Sequence, residues 1–187
     1  MKKFKLTSEF IVDISGVKLF RIKALIEFGN VKAGDLGGYI EKEENLSHMG
    51  NAWVSGDTRV SGDTRISGDA QVSGNARVSG NARVFGDAWV FGDARVSGNA
   101  RVSGDAQVSG DARVSGDKDY AYAHGFGSCN RTTTFFRLKD GDVGVRCGCF
   151  YGTLAQFRDK VCETHGETKK AQEYLMLADL MEIRFKN

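Results

Sequence analysis

The chain has 187 residues and a formal charge of +2, from 26 Lys and Arg against 24 Asp and Glu. So even a balance makes no broad basic field and excludes indiscriminate nucleic-acid binding. Hydrophobic content of 41% suits a globular body, whereas 24 glycines with no proline point to a repeated need for tight corners.

Residues 1–47 read as an N-terminal β cap. The opening MKKFKLTSEF is charged and no apolar h-region follows, so no signal peptide is expected. FKLTSEFIVDI and VKLFRIKALIEF read as strands, and Ala33-Gly34-Asp35-Leu36-Gly37-Gly38 as a turn. Tyr39 and Ile40 then lead into the central segment. The sequence has no 18-residue apolar run, so no membrane span and no membrane partner are expected. Cys129, Cys147, Cys149 and Cys162 read as reduced thiols of a cytoplasmic protein.

Residues 48–125 form the repeat segment. From Val54 to Asp119 the chain divides into eleven hexads without an insertion, each reading like Ala76-Arg77-Val78-Ser79 followed by Gly-Asn or Gly-Asp. In an extended stretch alternate side chains face opposite ways, so Ala and Val share one side and Arg and Ser the other. Gly with Asn or Asp supplies the sharp corner. An apolar side with a corner every six residues describes a three-sided coil of about eighteen residues per turn, with coils stacked at ~4.8 Å and Val and Ala inside. HMGNAW and YAYAHG are weaker hexads that extend the coil at its two ends.

The V-S-G-N-A-R unit resembles the hexapeptide repeat of left-handed parallel β-helices, an exception to the right-handed crossover of most parallel strands. The flanking LFRIKALIEFGNVKAGDLGGYIEKEENLSHMGNAWV and RTTTFFRLKDGDVGVRCGCFYGT are similar to bacterial and phage hexapeptide-repeat proteins, which are often labelled acyltransferases. The resemblance implies a mainly β fold, a left-handed parallel β-helix. It carries no function by itself, because one fold hosts many.

Residues 126–187 read as a small module of one hairpin and two helices. Asp140-Gly141 marks a two-residue hairpin. Pairing outward from it sets Leu138 opposite Val143, Phe136 opposite Val145 and Thr134 opposite Cys147. Thr153 begins a helix, with Gln156 completing a capping box; Leu154, Phe157 and Val161 form its apolar stripe and Gly166 ends it. A second helix starts near Thr168, with Ala171, Tyr174, Leu175, Ala178 and Met181 on one face.

Four groups of residues are candidates for chemistry. The family label implies acyl-CoA-dependent transfer as the alternative activity, with a histidine base, a donor groove between subunits and often a loop extruded from a coil. The eleven hexads hold no histidine and no extruded loop. His48, reading as inward at the entrance, is the remaining base candidate; His124 reads as inward at the exit and His165 closes a helix. A base also needs a cleft and an orienting partner, and the sequence displays neither. The β-helical carbonic anhydrases use three zinc-binding histidines, two of them close in sequence, and this chain has no such pair.

Cys129, Cys147, Cys149, Cys162 and His165 are the candidate ligands of a tetrahedral zinc site. Their spacing fits no CxxC pair, and Cys147 and Cys149 continue the apolar face of Val143 and Val145, where cysteine packs as a small hydrophobe. Neither metal nor another cofactor is therefore expected.

The third group is the outward ladders. Arg59, Arg77, Arg95 and Arg113 stack on one side, Arg65, Arg83 and Arg101 on a second, and Trp53, Gln71, Trp89 and Gln107 on the third. Stacked like charges repel. The corner acids Asp57, Asp63, Asp69, Asp87, Asp93, Asp105 and Asp111 are expected to offset them in a solvated salt-bridge lattice. Otherwise the rows are guanidinium combs for nucleic acid or a small anionic ligand.

The fourth group is aromatic. Phe85, Trp89 and Phe91 replace Ser and Arg along one edge, and with Trp53 two coils away they are expected either to form an exposed, partner-binding patch or to be covered by the cap or the C-terminal module. The sequence thus reads as a non-catalytic, self-associating binding protein with a protein partner. The resemblance to phage-borne chains implies a phage or prophage type that inhibits a host defence component such as a nuclease, or sequesters an anionic ligand.

Overall fold

The computed structural model describes residues 1–127 and 131–186. At its centre the chain winds into a three-sided parallel β-solenoid whose rungs are two-residue strands, from Trp53–Val54 to Arg113–Val114. The interior is Val and Ala with Ile66, all fully buried or nearly so. Thr58 and Thr64 take two of the alanine places. Their hydroxyls are buried at no cost in hydrogen bonding, because each donates to a corner carbonyl, of Ser55 and Ser61, at 2.7 Å.

The ladders stack as the six-residue period dictates. Tyr39, Arg59, Arg77, Arg95 and Arg113 align on one side. Arg65, Arg83 and Arg101 align on the second. Trp53, Gln71, Trp89 and Gln107 align on the third. Corner glycines lie in columns at positive φ, and at Gly80 (φ +71°) an added Cβ would stand 2.9 Å from the Gly98 nitrogen. Gly80→Ala is therefore expected to cost at least about 1–2 kcal/mol from the left-handed backbone alone. Gly116→Ala is the control, since Gly116 is extended and nothing lies within 4 Å of its would-be Cβ. Urea midpoints of the two variants check the difference.

Both solenoid ends need partners for backbone groups that no further coil satisfies. At the first coil, β1 (Phe4–Val12), β2 (Lys18–Ala24) and β3 (Leu36–Ile40) extend one side, β3 joining the coil in parallel. Asn45 donates to the Gly62 and Thr64 carbonyls, and the Lys3 ammonium donates to those of Gly50 and Ala52. At the last coil Asp117 accepts from Arg101 N–H, Asp119 from the Ser115 and Gly116 N–H groups, and the Thr134 hydroxyl from Gln107 N–H.

Here two expectations fail. YAYAHG does not continue the coil. Strand Tyr120–Phe126 pairs antiparallel with Arg131–Arg137 and joins a four-stranded sheet with Val143–Cys147 and Phe150–Thr153. His124 is accordingly exposed rather than inward. The hairpin register also slips by one residue: Phe135 faces Val145, Phe136 faces Gly144 and Thr133 faces Cys147. The reason is the loop. Leu138 N–H donates to the Asp142 carbonyl and Gly141 N–H to that of Leu138, so three residues turn where two were expected.

The slip decides what the sheet does. Phe136 packs into the solenoid core, and Phe135 into a second core with Phe157, Tyr174, Ala178 and Phe185. The sheet is thus a plug with one face on the last coil and the other on helices α1 (Leu154–His165) and α2 (Lys169–Phe185). Thr153 caps α1 with the Gln156 box, Gly166 ends it, and Thr168 caps α2, as the sequence predicts. Among the described residues no helix is long and apolar enough to cross a membrane.

Candidate functional site

His48 sits at the solenoid entrance beside a cleft of about 640 Å³ lined in part by Glu43, Glu44, Leu46, Arg65 and Ile66. The cleft and the acidic partner, five residues upstream, were not legible in the sequence. Yet the ring is spent. Its Nδ1 accepts from Lys3 N–H at 3.1 Å, which requires a lone pair there. The proton therefore rides on Nε2, which lies 2.7 Å from Glu43 Oε1. Phe4 stacks on the ring at 4.4 Å. Hydrogen bonds from Lys2 first, and then from His48, hold the Glu43 carboxyl below its usual range. With both nitrogens engaged, His48 ties the cap to the coil and has no lone pair to offer a substrate.

Cys147, Cys149 and His165 line one cavity of about 240 Å³ but are not gathered as a ligand set. Cys147 lies 3.2 Å from the Thr133 hydroxyl, at the edge of the helix-side core. Cys149 and Cys162 are exposed, and His165 stacks against Tyr174 at 5.8 Å. Cys129 lies outside the described residues. Among the described residues no group of three His, Cys, Asp or Glu is placed to hold a metal.

The arginine ladders stand where the period places them, but the expected salt-bridge lattice is not there. Among the described residues no ladder arginine lies within ion-pair distance of a corner aspartate. The corner side chains instead bond along the axis to the next corner: Asn75 to Asp93 and Asn81 to Asn99 at 3.2 Å, and Asp69 to Asn51 N–H at 2.9 Å. These corners bond within their own columns, while Asp63 pairs with Lys42 and Asp105 faces His124. Among the described residues Arg113 alone of the ladder arginines donates its guanidinium to protein groups, the Asp93 and Ala112 carbonyls.

The aromatic residues divide. Trp53 is outward on its ladder but only 4% exposed, because the cap folds over it. Phe28 meets it edge-on at 5.4 Å, and Gly37 leaves room for its ring, an added Cβ there standing 2.7 Å from Trp53 Cζ2. The expectation that Trp53 belongs to an exposed patch is thereby corrected. Phe85 and Trp89 remain 38% and 52% exposed. Phe91 is half-buried beneath the Arg146 guanidinium, 5.4 Å from its ring centre.

Two tyrosines that the repeat could not reveal complete this face. Phe85 N–H donates to Val102 O, one coil below, and the Tyr122 hydroxyl lies over the Gly104 corner that follows. Phe91 N–H donates to Val108 O, and Tyr151 closes over the Gly110 corner. Tyr122 and Tyr151 are both exposed. The result is an aromatic band across the third side where solenoid meets plug. It offers large, rigid, amphipathic side chains, and beside the Gly104 corner His124 Nδ1 lies 3.7 Å from Asp105 Oδ2, both side chains exposed.

The repeat family described as YdcK beta solenoid repeat matches residues 70–84, 76–92, 94–107 and 106–117. The matches lie within the coil, so the likeness is one of repeat architecture. No curated protein matches the chain.

Proposed function

We propose that the chain is a non-catalytic interaction protein, a rigid β-solenoid that presents an aromatic face to a protein partner. One observation carries this reading: Phe85 and Trp89 stand exposed at repeat positions that elsewhere hold Ser, Arg or Gln, with Tyr122 and Tyr151 beside them. An exposed aromatic cluster rimmed by polar residues has the make-up of an interface centre, since rigid rings bury much area at little entropic cost. The proposed partner is a component of host defence such as a nuclease, blocked when the solenoid docks on it; this class rests on the resemblance of the flanking segments to phage-borne chains. The acyl-transfer alternative gains nothing from His48, whose ring nitrogens are both engaged.

The test is Phe85→Ser combined with Trp89→Arg, substitutions that restore the ordinary repeat and leave the interior alone. Native capture from host lysate and light scattering are run on both proteins. A captured protein that the double variant loses, with unchanged thermal unfolding, is the expected result. A dimer that the variant loses instead makes the partner a second copy. If the oligomeric state and every captured protein survive, the face is not an interface.

A further inference from the structure

The two arginine sides share one edge of the prism, the column of corners at Asp63, Asn81, Asn99 and Asp117. The edge between the second and third sides carries Asp69, Asp87 and Asp105. The arginine edge therefore swaps aspartate for neutral asparagine in its two middle coils. Its upper acid, Asp63, is neutralised by the Lys42 ammonium at 2.7 Å. Acids are thus missing from this edge beside Arg77 and Arg95, while the other edge of the side that holds these two arginines carries Asp57, Asn75, Asp93 and Asp111, with Asp93 accepting from Asn75.

A cavity of about 270 Å³ opens on the first side, next to this edge. The tip of the β1–β2 hairpin, Asp13 to Ser15, walls it. Its floor is Arg59, Arg77 and Arg95 with Ser61, Ser79 and Ser97, two parallel rows that rise one coil at a time. The Asp13 Oδ1 accepts from the Ser15 and Val17 N–H groups, and among the described residues this carboxylate forms no ion pair with the three arginines. Among the described residues none of the three arginines has an ion-pair partner.

Three guanidinium groups in register at ~4.8 Å repel one another, and among the described residues no carboxylate stands within ion-pair distance of them. A ligand would need acceptors and negative charge repeated along the axis over about 10 Å, two rung spacings. Guanidinium forks match phosphoryl oxygens, and serine hydroxyls add donors beside each fork. The bounded cavity favours a short ligand over a long strand. We propose that Arg59, Arg77 and Arg95, with Ser61, Ser79 and Ser97, bind a short linear chain of phosphoryl groups. This site lies on a different side of the prism from the aromatic face and does not depend on it.

Titration calorimetry with tripolyphosphate, ATP and orthophosphate tests this on the full chain. Tripolyphosphate is expected to bind at least about tenfold more tightly than orthophosphate, because it adds charge-assisted contacts along the row that a single phosphate cannot make. ATP binding comparably marks a nucleotide as the natural carrier; tripolyphosphate binding alone marks a free chain. Either supports the proposal. Arg77→Gln with Arg95→Gln should weaken tripolyphosphate at least about tenfold while leaving thermal unfolding unchanged or improved, since like-charge repulsion is relieved. Asn81→Asp with Asn99→Asp, which returns acids to the edge, should weaken it severalfold. The aromatic double variant should bind it as the natural chain does. Three results overturn the proposal: tripolyphosphate binding no tighter than orthophosphate, affinity that survives the arginine variant, or a single-stranded oligonucleotide that outcompetes both phosphate chains.

Discussion

Phe136→Ala is expected to destabilise the chain by about 3–5 kcal/mol, the usual cost of removing a fully buried phenylalanine. Against a typical total of about 5–15 kcal/mol, that is a large fraction. Phe136 is 0% exposed and belongs to the solenoid core, with Leu138 packed against the same core. Its ring also fills the space left by Gly144, where an added Cβ would stand 2.6 Å from Phe136 Cε2. Truncation leaves a cavity under the last coil that the paired strands cannot collapse into. Phe135→Ala should cost a similar amount, but from the other face, where its ring meets Phe157 edge-on at 6.2 Å. The two differ in consequence. Loosening the plug at Phe136 uncovers unpaired rungs, so that variant should also aggregate end to end. A double-mutant cycle decides the register independently: Phe135 should couple with Val145 by about 0.5 kcal/mol or more, and Phe136 should not. Urea unfolding measures all of these, and a loss below about 1 kcal/mol for Phe136→Ala would refute the plug.

The register error shows where sequence reasoning loses its grip. Alternation identifies a face only when the other face is wet. In Thr132-Thr133-Thr134-Phe135-Phe136 no alternation separates the two faces, because one lies on the solenoid and the other on the helices. Either pairing gives plausible apolar neighbours, and only loop length separates them. The coil was legible for the opposite reason. Its outer face is solvated over most of its length, its period is uninterrupted, and each corner must be Gly with Asn or Asp.

The sites were legible in proportion to how local they are. The ladders follow from arithmetic on an eighteen-residue turn. The fate of Trp53 depends on a cap that begins some fifty residues earlier in the chain, and that of Phe91 on Arg146, fifty-five residues later. No period connects such pairs. The missing salt-bridge lattice has a similar cause. Opposite charges two residues apart suggest pairing, yet a corner side chain reaches its own column along the axis more directly than it reaches around to the flat side. The asparagine substitutions at positions 81 and 99 were visible in the sequence all along. They acquire meaning only once the corners are sorted into three columns.

Lys3 gives the second large expected effect, and its sign is opposite to that of most buried ion pairs. Its side chain is buried under the cap, 4.6 Å from the centre of the Phe28 ring, with its ammonium donating to the Ala52 and Gly50 carbonyls at 2.8 and 3.2 Å. Burial lowers its pKa from 10.5 to about 8, partly offset by the charge of Asp69. Below pH 8 both folded and unfolded chains carry the proton, and the folded state bears the full penalty of a desolvated charge. Between about 8 and 10.5 the folded chain has lost a proton that the unfolded chain still holds, so stability rises with pH across that window. The rise is on the order of 2–3 kcal/mol. Tyr120 works against it: burial pushes its hydroxyl above 10.0, so its contribution falls as pH climbs past the unfolded value. That contribution is common to the natural chain and to Lys3→Met, and cancels in their difference. Urea unfolding of both proteins at half-unit steps from pH 7.5 to 10.5 should therefore show the natural chain gaining on Lys3→Met throughout the window. Parallel profiles would mean that Lys3 keeps its charge in the folded state and that the cap leaves it wet.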